Sequence, residues 1–468
     1  MTDQDANSPS LHAFSTWQPL LRLLRVWRAP GPDGAFSYAS GRIGQGSWSL
    51  PSREDVPRTD RAARDEGVQA QAEAVEPVRR ALAAAGVEDV TFTAEFSAAG
   101  PLTLRVLGRS PAVESGVGSA HPGALLLVEG AVPEPWRRLP EPAPESGPAP
   151  TADPGLLERT LRERIPPGAV GSTDAELAAA EARLGVPLPE ELRALYRVTR
   201  GRPQDWGEGY EAVLRADEAV GCELFPLDEV YVADAASRPT LWQFGAKEAV
   251  VTTADDAVQG LVGSPGWIVF GDNGGGDRIA VDLTPGPRGH IGQIIMLSHE
   301  YNIGAELIAD SLTDLVLGRE SESRSGSGPD APPAVAHVNW RSLPSVEAAA
   351  HAGLEVLSLG VWEAEPLSLA PALGLPRLRT LAAYPGTLAD PLEIAGLKGL
   401  EYLELAPQDW RVLLDAGAVP RSLSAASVLV RGQQDVLSTV ALANEILTLW
   451  DRPQIVQTVL EEDLGAMA

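Results

Sequence analysis

The sequence predicts an α+β chain of three folded units, and three observations carry that prediction. Two stretches without apolar periodicity divide the chain: residues 140–152, rich in Pro, and 321–334, rich in Ser, Gly and Pro. Between them the elements run helix, helix, strands, helix, the order of a sandwich with its helices segregated from its sheet. Beyond the second stretch a Leu-rich pattern returns every 22 to 24 residues, the mark of a stacked repeat. The total of 468 residues agrees, being too long for a single core.

Residues 11–139 read as a small α+β unit whose role the sequence does not show. Leu20, Leu23, Leu24 and Trp27 recur at helical spacing and predict an amphipathic opening helix. Ala70–Ala85 predicts a second helix, stopped by Gly86. Val90–Phe96 and Leu102–Leu107 alternate apolar with polar or small side chains, and Ala124–Val128 is continuously apolar, so all three predict strands. Trp17, Trp27, Trp48 and Trp136 form either a binding face or part of the core, and core packing is the simpler reading. The Pro-rich stretch that follows predicts an extended, stiff linker.

Residues 153–320 are the clearest. Thr173 and Glu176 stand at capping-box spacing, where the hydroxyl takes a backbone donor three residues on and the carboxylate reaches back. Leu177, Ala180, Glu181 and Leu184 then ride a helix that Gly185 terminates. Pro189 suits the first position of the next helix, which carries Leu192, Leu195 and Tyr196 and stops at Gly201. Strands are predicted at Trp267–Phe270, Ile279–Leu283 and Ile291–Leu297, the first two joined by a turn rich in Gly, Asp and Asn. A closing helix is predicted from Ile303 to Gly318.

In residues 335–468, Leu354, Leu357 and Leu359 set a pattern repeated at 378–383, 400–405 and 423–428. Each unit predicts a short strand in a leucine-rich-repeat-like α/β solenoid. Trp362, Gly386, Gln408 and Arg431 stand where such repeats place Asn or Cys, so the repeats are degenerate. Val436, Val440, Leu447 and Trp450 predict a final helix capping the stack.

Composition narrows the function. The formal net charge is −27, and residues 151–320 hold 28 acidic against 14 basic side chains. Such a surface repels phosphate backbones and steers basic proteins toward itself, so nucleic acid is excluded as a partner and a basic protein is favoured. The same excess of acid is also what solubility alone requires. Apolar runs fall short of a membrane span, Arg22 and Arg25 interrupt Leu20–Val26, and nothing resembles a cleaved leader, so a cytoplasmic protein without membrane insertion is expected. Cys222 is the single cysteine, and the six His show no ligand spacing, which argues against disulfides and soft-metal sites. Arg-dominated basic residues, with Lys at 247 and 398, and abundant Ala, Gly and Pro resemble the coding bias of a high-GC bacterium.

Two phrases in the middle unit resemble the Smi1/Knr4 (SUKH) superfamily. The first runs through Leu184, Gly185, Pro187, Leu188, Pro189 and Leu192 to Tyr196 and Gly201. The second runs through Trp267, Gly271, Asp272, Gly276, Asp277 and Asp282. The resemblance covers about a third of the chain and implies a SUKH-like α+β sandwich, a binding module without known catalysis. It implies immunity-type binding and neutralisation of a toxin or effector domain of a polymorphic toxin system, or, as in fungal members, a regulatory scaffold. Members of the immunity type often stand alone, whereas this unit lies between two others.

Chemistry sites are scarce. Asp272, Asn273 and Asp277 lack the alternation and distal Glu of a calcium loop, and no Gly-Lys-Ser/Thr ending makes the glycines a phosphate cradle. Cys222 with His290 or His299, or the pairs Glu190–Glu191 and Asp255–Asp256, would be needed for a hydrolase; adjacent carboxylates are ordinarily solvated. No catalytic, cofactor or metal residue is assigned, and a non-enzyme is expected. The partner-binding candidates are Trp206, Tyr210, Trp242 and Phe244, aromatics expected in irregular segments, with Asp205 and Glu208 supplying steering; core packing is the competing reading. The leucine-rich segment offers a second docking surface.

Overall fold

The computed structural model describes residues 10–27, 37–51, 61–97, 100–108, 110–114, 124–142, 146–165, 169–202, 210–301, 303–319, 332–430 and 436–465. The chain opens with α1 (Phe14–Trp27), β1 (Ser37–Gly44), β2 (Trp48–Ser49), α2 (Arg61–Ala85), β3 (Asp89–Phe96) and β4 (Pro101–Leu107). α1 buries Trp17, Leu20, Leu21 and Leu24, and α2 meets them with Val75, Val78 and Leu82 in one core over Phe92 and Leu104. α2 starts well before Ala70 because Arg61, Ala62, Ala63, Arg64 and Glu66 ahead of it favour helix. The tryptophans are largely packing residues: Trp17 is fully buried, and the Trp48 indole donates to Gln71 Oε1 at 3.0 Å.

Next come β5 (Val113–Glu114), β6 (Leu125–Leu127) and the short α3 (Glu134–Arg137). The described residues of the Pro-rich stretch, 140–142 and 146–152, expected to form a linker, lie along the middle unit instead. Glu141 N donates to Gln259 Oε1 at 2.8 Å, Ile291 N to Gly147 O at 2.9 Å, and Thr151 Oγ1 to Asp314. Its backbone finds partners on the neighbouring unit that prolines cannot supply internally.

The middle unit contains α4 (Pro154–Arg164), α5 (Asp174–Leu184), α6 (Glu190–Val198), α7 (Tyr210–Val220), β7 (Glu223–Leu224), β8 (Tyr231–Val232) and α8 (Trp242–Gly245). β9 (Trp267–Asp272), β10 (Arg278–Asp282), β11 (Gln293–Leu297), β12 (Glu306–Ala309) and α9 (Leu312–Leu317) complete it. The antiparallel sheet runs β12-β11-β10-β9-β7, with β8 also on β9. Helices cover the face of Ile268, Phe270 and Val281, while the 233–261 loop covers Trp267, Val269 and Ala280. Burial on both faces is why β9 reads as an unbroken apolar run rather than an alternation. This is the α+β sandwich the element order predicted.

The predicted closing helix is corrected in its first half. Residues 306–309 are an edge strand paired with β11, and helix begins only at Leu312. Ser311 caps α9 through Asp314 N at 3.1 Å, and the alternating burial of Glu306–Ala309 suits a strand.

The C-terminal elements are β13 (Val335–Val338), α10 (Val346–Ala349), β14 (Val356–Leu359), β15 (Thr380–Ala383), β16 (Tyr402–Leu405), α11 (Pro407–Asp415), β17 (Ala425–Val428), α12 (Val436–Leu449) and β18 (Gln457–Asp463). β13 to β17 are parallel and in order, and Leu357, Leu381, Leu403 and Ala426 are successive register partners in one core. The periodic leucines therefore stack as a ladder, joined ahead of the first repeat by β13, which the pattern did not announce.

The outer units are not separable at 139 and 335. β6 and β5 extend the C-terminal sheet antiparallel to β17, while β18 pairs along β4 and closes the N-terminal sheet, ordered β18-β4-β3-β1-β2. Each outer unit completes the other's sheet, and the middle unit is inserted between them. The sequence could not show this exchange, because pairing between β4 and β18 leaves no local mark.

Candidate docking surface

The residues carrying the family resemblance build the middle unit. Thr173 and Glu176 form the predicted capping box, with Thr173 N donating to Glu176 Oε2 at 2.8 Å and Glu176 N to Thr173 Oγ1 at 3.2 Å. The bonds from Thr173 N and Thr173 Oγ1, each at 2.8 Å, hold the Glu176 carboxyl below the usual carboxylate range. Gly185 ends α5 in the left-handed region at φ 75°. Leu184 is partly buried against the helical core, and Leu188 and Leu192 lie within it. Glu181 Oε1 accepts Leu188 N at 3.0 Å, fixing the turn through Pro187, and Pro189 caps α6 rather than entering its first turn. Tyr196 is fully buried with its hydroxyl on Phe225 O at 2.8 Å, and Gly201, at φ 71°, passes so close to that carbonyl that a Cβ would collide with it.

The second phrase is equally structural. Gly271 leaves room for the Cys222 sulfur, which a Cβ there would meet at 2.8 Å. Asp272 Oδ1 accepts Gly274 N at 2.6 Å and Gly276 N at 3.3 Å, and Arg278 pairs with its other oxygen. Asp277 Oδ1 is 2.7 Å from His299 Nδ1 and accepts His299 N at 3.0 Å. The glycine-rich bend thus spends its carboxylates on its own backbone and neighbours. Asp282 is fully buried, accepting Thr284 N at 2.7 Å and Gln293 Nε2 at 2.9 Å, and burial pushes its pKa up to about 6. Trp267 is fully buried beneath the 233–261 loop.

The hydrolase candidates are spent in the same way. Burial pushes the Cys222 thiol well above its ordinary value, and Cys222 belongs to the helical core. Glu191, expected to be solvated, is buried and caps α9, accepting Leu312 N and Thr313 N at 3.1 Å each. Asp256 is buried too and accepts Thr253 N at 2.5 Å, whereas Asp255 stays exposed opposite Arg288. A helix terminus and a tight loop recruit one member of each pair.

Of the predicted partner-binding residues, the structure describes Tyr210, Trp242 and Phe244. Asp205, Trp206 and Glu208 lie outside the described residues. Tyr210 begins α7 instead of lying in an irregular segment. Trp242 is buried, not presented: its Nε1 donates to Ala131 O at 3.0 Å, its N to Glu114 Oε2 at 2.9 Å, and its ring lies 6.4 Å from that of Tyr402. Phe244 is half exposed in the same short helix.

Trp242 belongs to an internal interface the sequence reading missed. The 242–250 segment seats on the strand face of the C-terminal sheet, where Thr380 Oγ1 donates to Ala246 O at 2.6 Å and Lys247 Nζ pairs with Glu404 at 2.8 Å. Beside it Glu355, fully buried, receives Arg377 at 2.7 Å, Arg138 at 2.9 Å and Arg379 at 3.3 Å. Arg137 reaches Glu401 at 2.9 Å. These residues come from sequence-distant segments, and no local spacing could have joined them.

On the middle unit, α5 and the 199–202 and 227–228 turns enclose a groove of about 290 Å³. Ala179, Ala180 and Leu227 line it together with Arg183, Arg200, Arg202, Glu176 and Asp228. Arg183 donates to Val230 O at 2.6 Å and Leu227 O at 2.9 Å, and Arg200 pairs with Glu176 at 3.0 Å. Among the described residues, no group of three or more His, Cys, Asp or Glu is placed to hold a metal ion, and no helix is long and apolar enough to cross a membrane.

Comparison with known proteins places the middle unit. Residues 171–318 match the model of the SMI1 / KNR4 family (SUKH-1). The chain is 28% identical over 160 residues to a "Glucan synthesis regulatory protein" of Neurospora crassa, covering 28% of this chain and 30% of that one. It is 29% identical over 143 residues to the "Cell wall biosynthesis/cell cycle regulator smi1" of Schizosaccharomyces pombe, covering 28% of this chain and 27% of that one. To a "KNR4/SMI1 homolog 2" of Debaryomyces hansenii it is 38% identical over 72 residues, 15% of this chain and 12% of that one. These matches span less than a third of each relative. The helical cap, the Tyr196–Gly201 contact on Phe225 and the self-bonded glycine bend thus make up a SMI1/KNR4 (SUKH-1) domain, inserted within a longer α+β chain.

Proposed function

We propose that the chain is a non-catalytic protein-binding factor whose SMI1/KNR4 domain is the docking module. The match of residues 171–318 to the family carries this reading. The use of its signature residues as caps, turns and core leaves recognition to the domain's outer surface. Its finer form is immunity-type neutralisation of a basic toxin or effector domain in the cytoplasm, supported by the excess of 28 acidic over 14 basic residues in 151–320. A regulatory role is the second reading, favoured by the names of the fungal relatives. The burial of Trp242 against Tyr402 weighs against the strand face of the C-terminal sheet as the docking site, since the middle unit already covers it.

Calorimetry of the full chain with purified basic effector domains, at low and high salt, tests the proposal. A stoichiometric complex weakened by salt is expected if charge steers association. Absence of binding at low salt to every effector domain encoded beside it would end the immunity form.

A further inference from the structure

We infer that the groove beside α5 takes a carboxylate-bearing side chain presented by a loop of a protein partner. The inference rests on the docking-module reading and names what the module grips. The apolar lining of Ala179, Ala180 and Leu227 is small, suited to a short aliphatic stem. Among the described lining residues, three guanidinium groups (Arg183, Arg200 and Arg202) stand with two carboxylates, Glu176 and Asp228. Arg183 is held at both Nη atoms by the carbonyls of Val230 and Leu227, neutral acceptors that fix the guanidinium without cancelling its charge. Glu176 meets Arg200 Nη2 with both oxygens, at 3.0 and 3.1 Å, and the second of them also accepts Thr173 N in the capping box. The Arg200 Nε is buried without a partner among the described residues. Arg202 meets Asp228 only at 4.0 Å, with both side chains more than half exposed.

A locally cationic groove runs against the domain's charge, and that contrast defines the occupant. The acidic surface repels a broadly anionic partner, whereas a single carboxylate on an otherwise basic face is repelled little and finds a prearranged guanidinium pair. The acidic exterior then brings the partner in, and the groove sets its register. Arginine suits this because its planar fork meets carboxylate oxygens two at a time.

Titrating the full chain with N-acetyl-aspartate amide, while following arginine Nε–H resonances by NMR, tests the groove. Saturable shifts at Arg183 and Arg200 are expected, with about tenfold weaker binding of the asparagine analogue and of Arg200→Gln to the aspartate probe. Equal responses to the two analogues, or shifts no larger than sodium chloride produces, would overturn the inference. Arg202→Gln serves as a second variant, since its side chain is more than half exposed and its ion pair with Asp228 is 4.0 Å long; weaker binding of the aspartate probe is expected, and unchanged binding by both variants would overturn the inference. An effector domain that binds wild type and Arg200→Gln equally would also overturn the groove and leave the docking reading standing. If the aspartate probe saturates while no effector domain binds, the carboxylate site stands and the immunity form of the docking reading fails.

Discussion

Asp282 is a carboxylic acid sealed between two strands, and its burden is desolvation. Burial raises its pKa from 3.8 to about 6, against the opposing pull of hydrogen bonds from Thr284 and Gln293. A folded pKa above the unfolded one means that the stabilising contribution is full below pH 3.8 and is lost as pH rises through about 6. The swing is roughly 3 kcal/mol at about 1.4 kcal/mol per unit. Wild type should therefore gain on Asp282→Asn as pH falls from 7 to 4.5, read as the difference in urea midpoints; two curves that move in parallel would remove the argument. Position 282 was visible in the sequence as part of a family phrase, but its burial was not. Similarly, Thr173 and Glu176 declared their roles because a cap is local in sequence. Arg183 and Arg200 declared nothing, since their value comes from carbonyls and a carboxylate brought in by other segments.

At the level of elements, legibility followed the range of the contacts. α5 and the parallel strands were read correctly because their signals lie within a few residues or recur at a fixed step. The segment 303–310 was misread because Leu307 and Ile308 fit a helical stripe as well as an edge strand, and Ser311, the decisive cap, falls between them and the helix. α9 also depends on Glu191 from α6, which occupies the donors at its first turn. Glu191→Gln retains an acceptor but replaces a charge-assisted cap, so a loss of about 1–3 kcal/mol is expected in chemical denaturation. Hydrogen exchange should quicken first at Leu312 and Thr313; unchanged protection there would show that the cap carries no weight.

The molecule as a whole is held by pairings no reading of short windows finds. β18 lies on β4 from Gln457↔Leu107 to Asp463↔Pro101, and β6 lies on β17. Glu461, Glu462 and Asp463 leave β18 as an acidic outer edge, a disposition that discourages further strand addition. Removing residues 457–468 should uncover β4 and cost the N-terminal sheet its cooperative melting, seen as rapid amide exchange across Leu102–Leu107 and concentration-dependent aggregation. A truncated chain that melts as wild type does would contradict the exchange of strands. The same topology means that point substitutions, not deletion of 335–468, are the proper way to divide the roles of the units. It also imposes a timetable on synthesis. The nested contacts of the SMI1/KNR4 domain can close while it leaves the ribosome, but the strand that finishes the first sheet is translated only after that domain and the parallel strands β13 to β17. The opening unit must wait, edge bare, until β18 emerges, and a message cut before Gln457 would leave the SMI1/KNR4 domain folded beside an incomplete sheet.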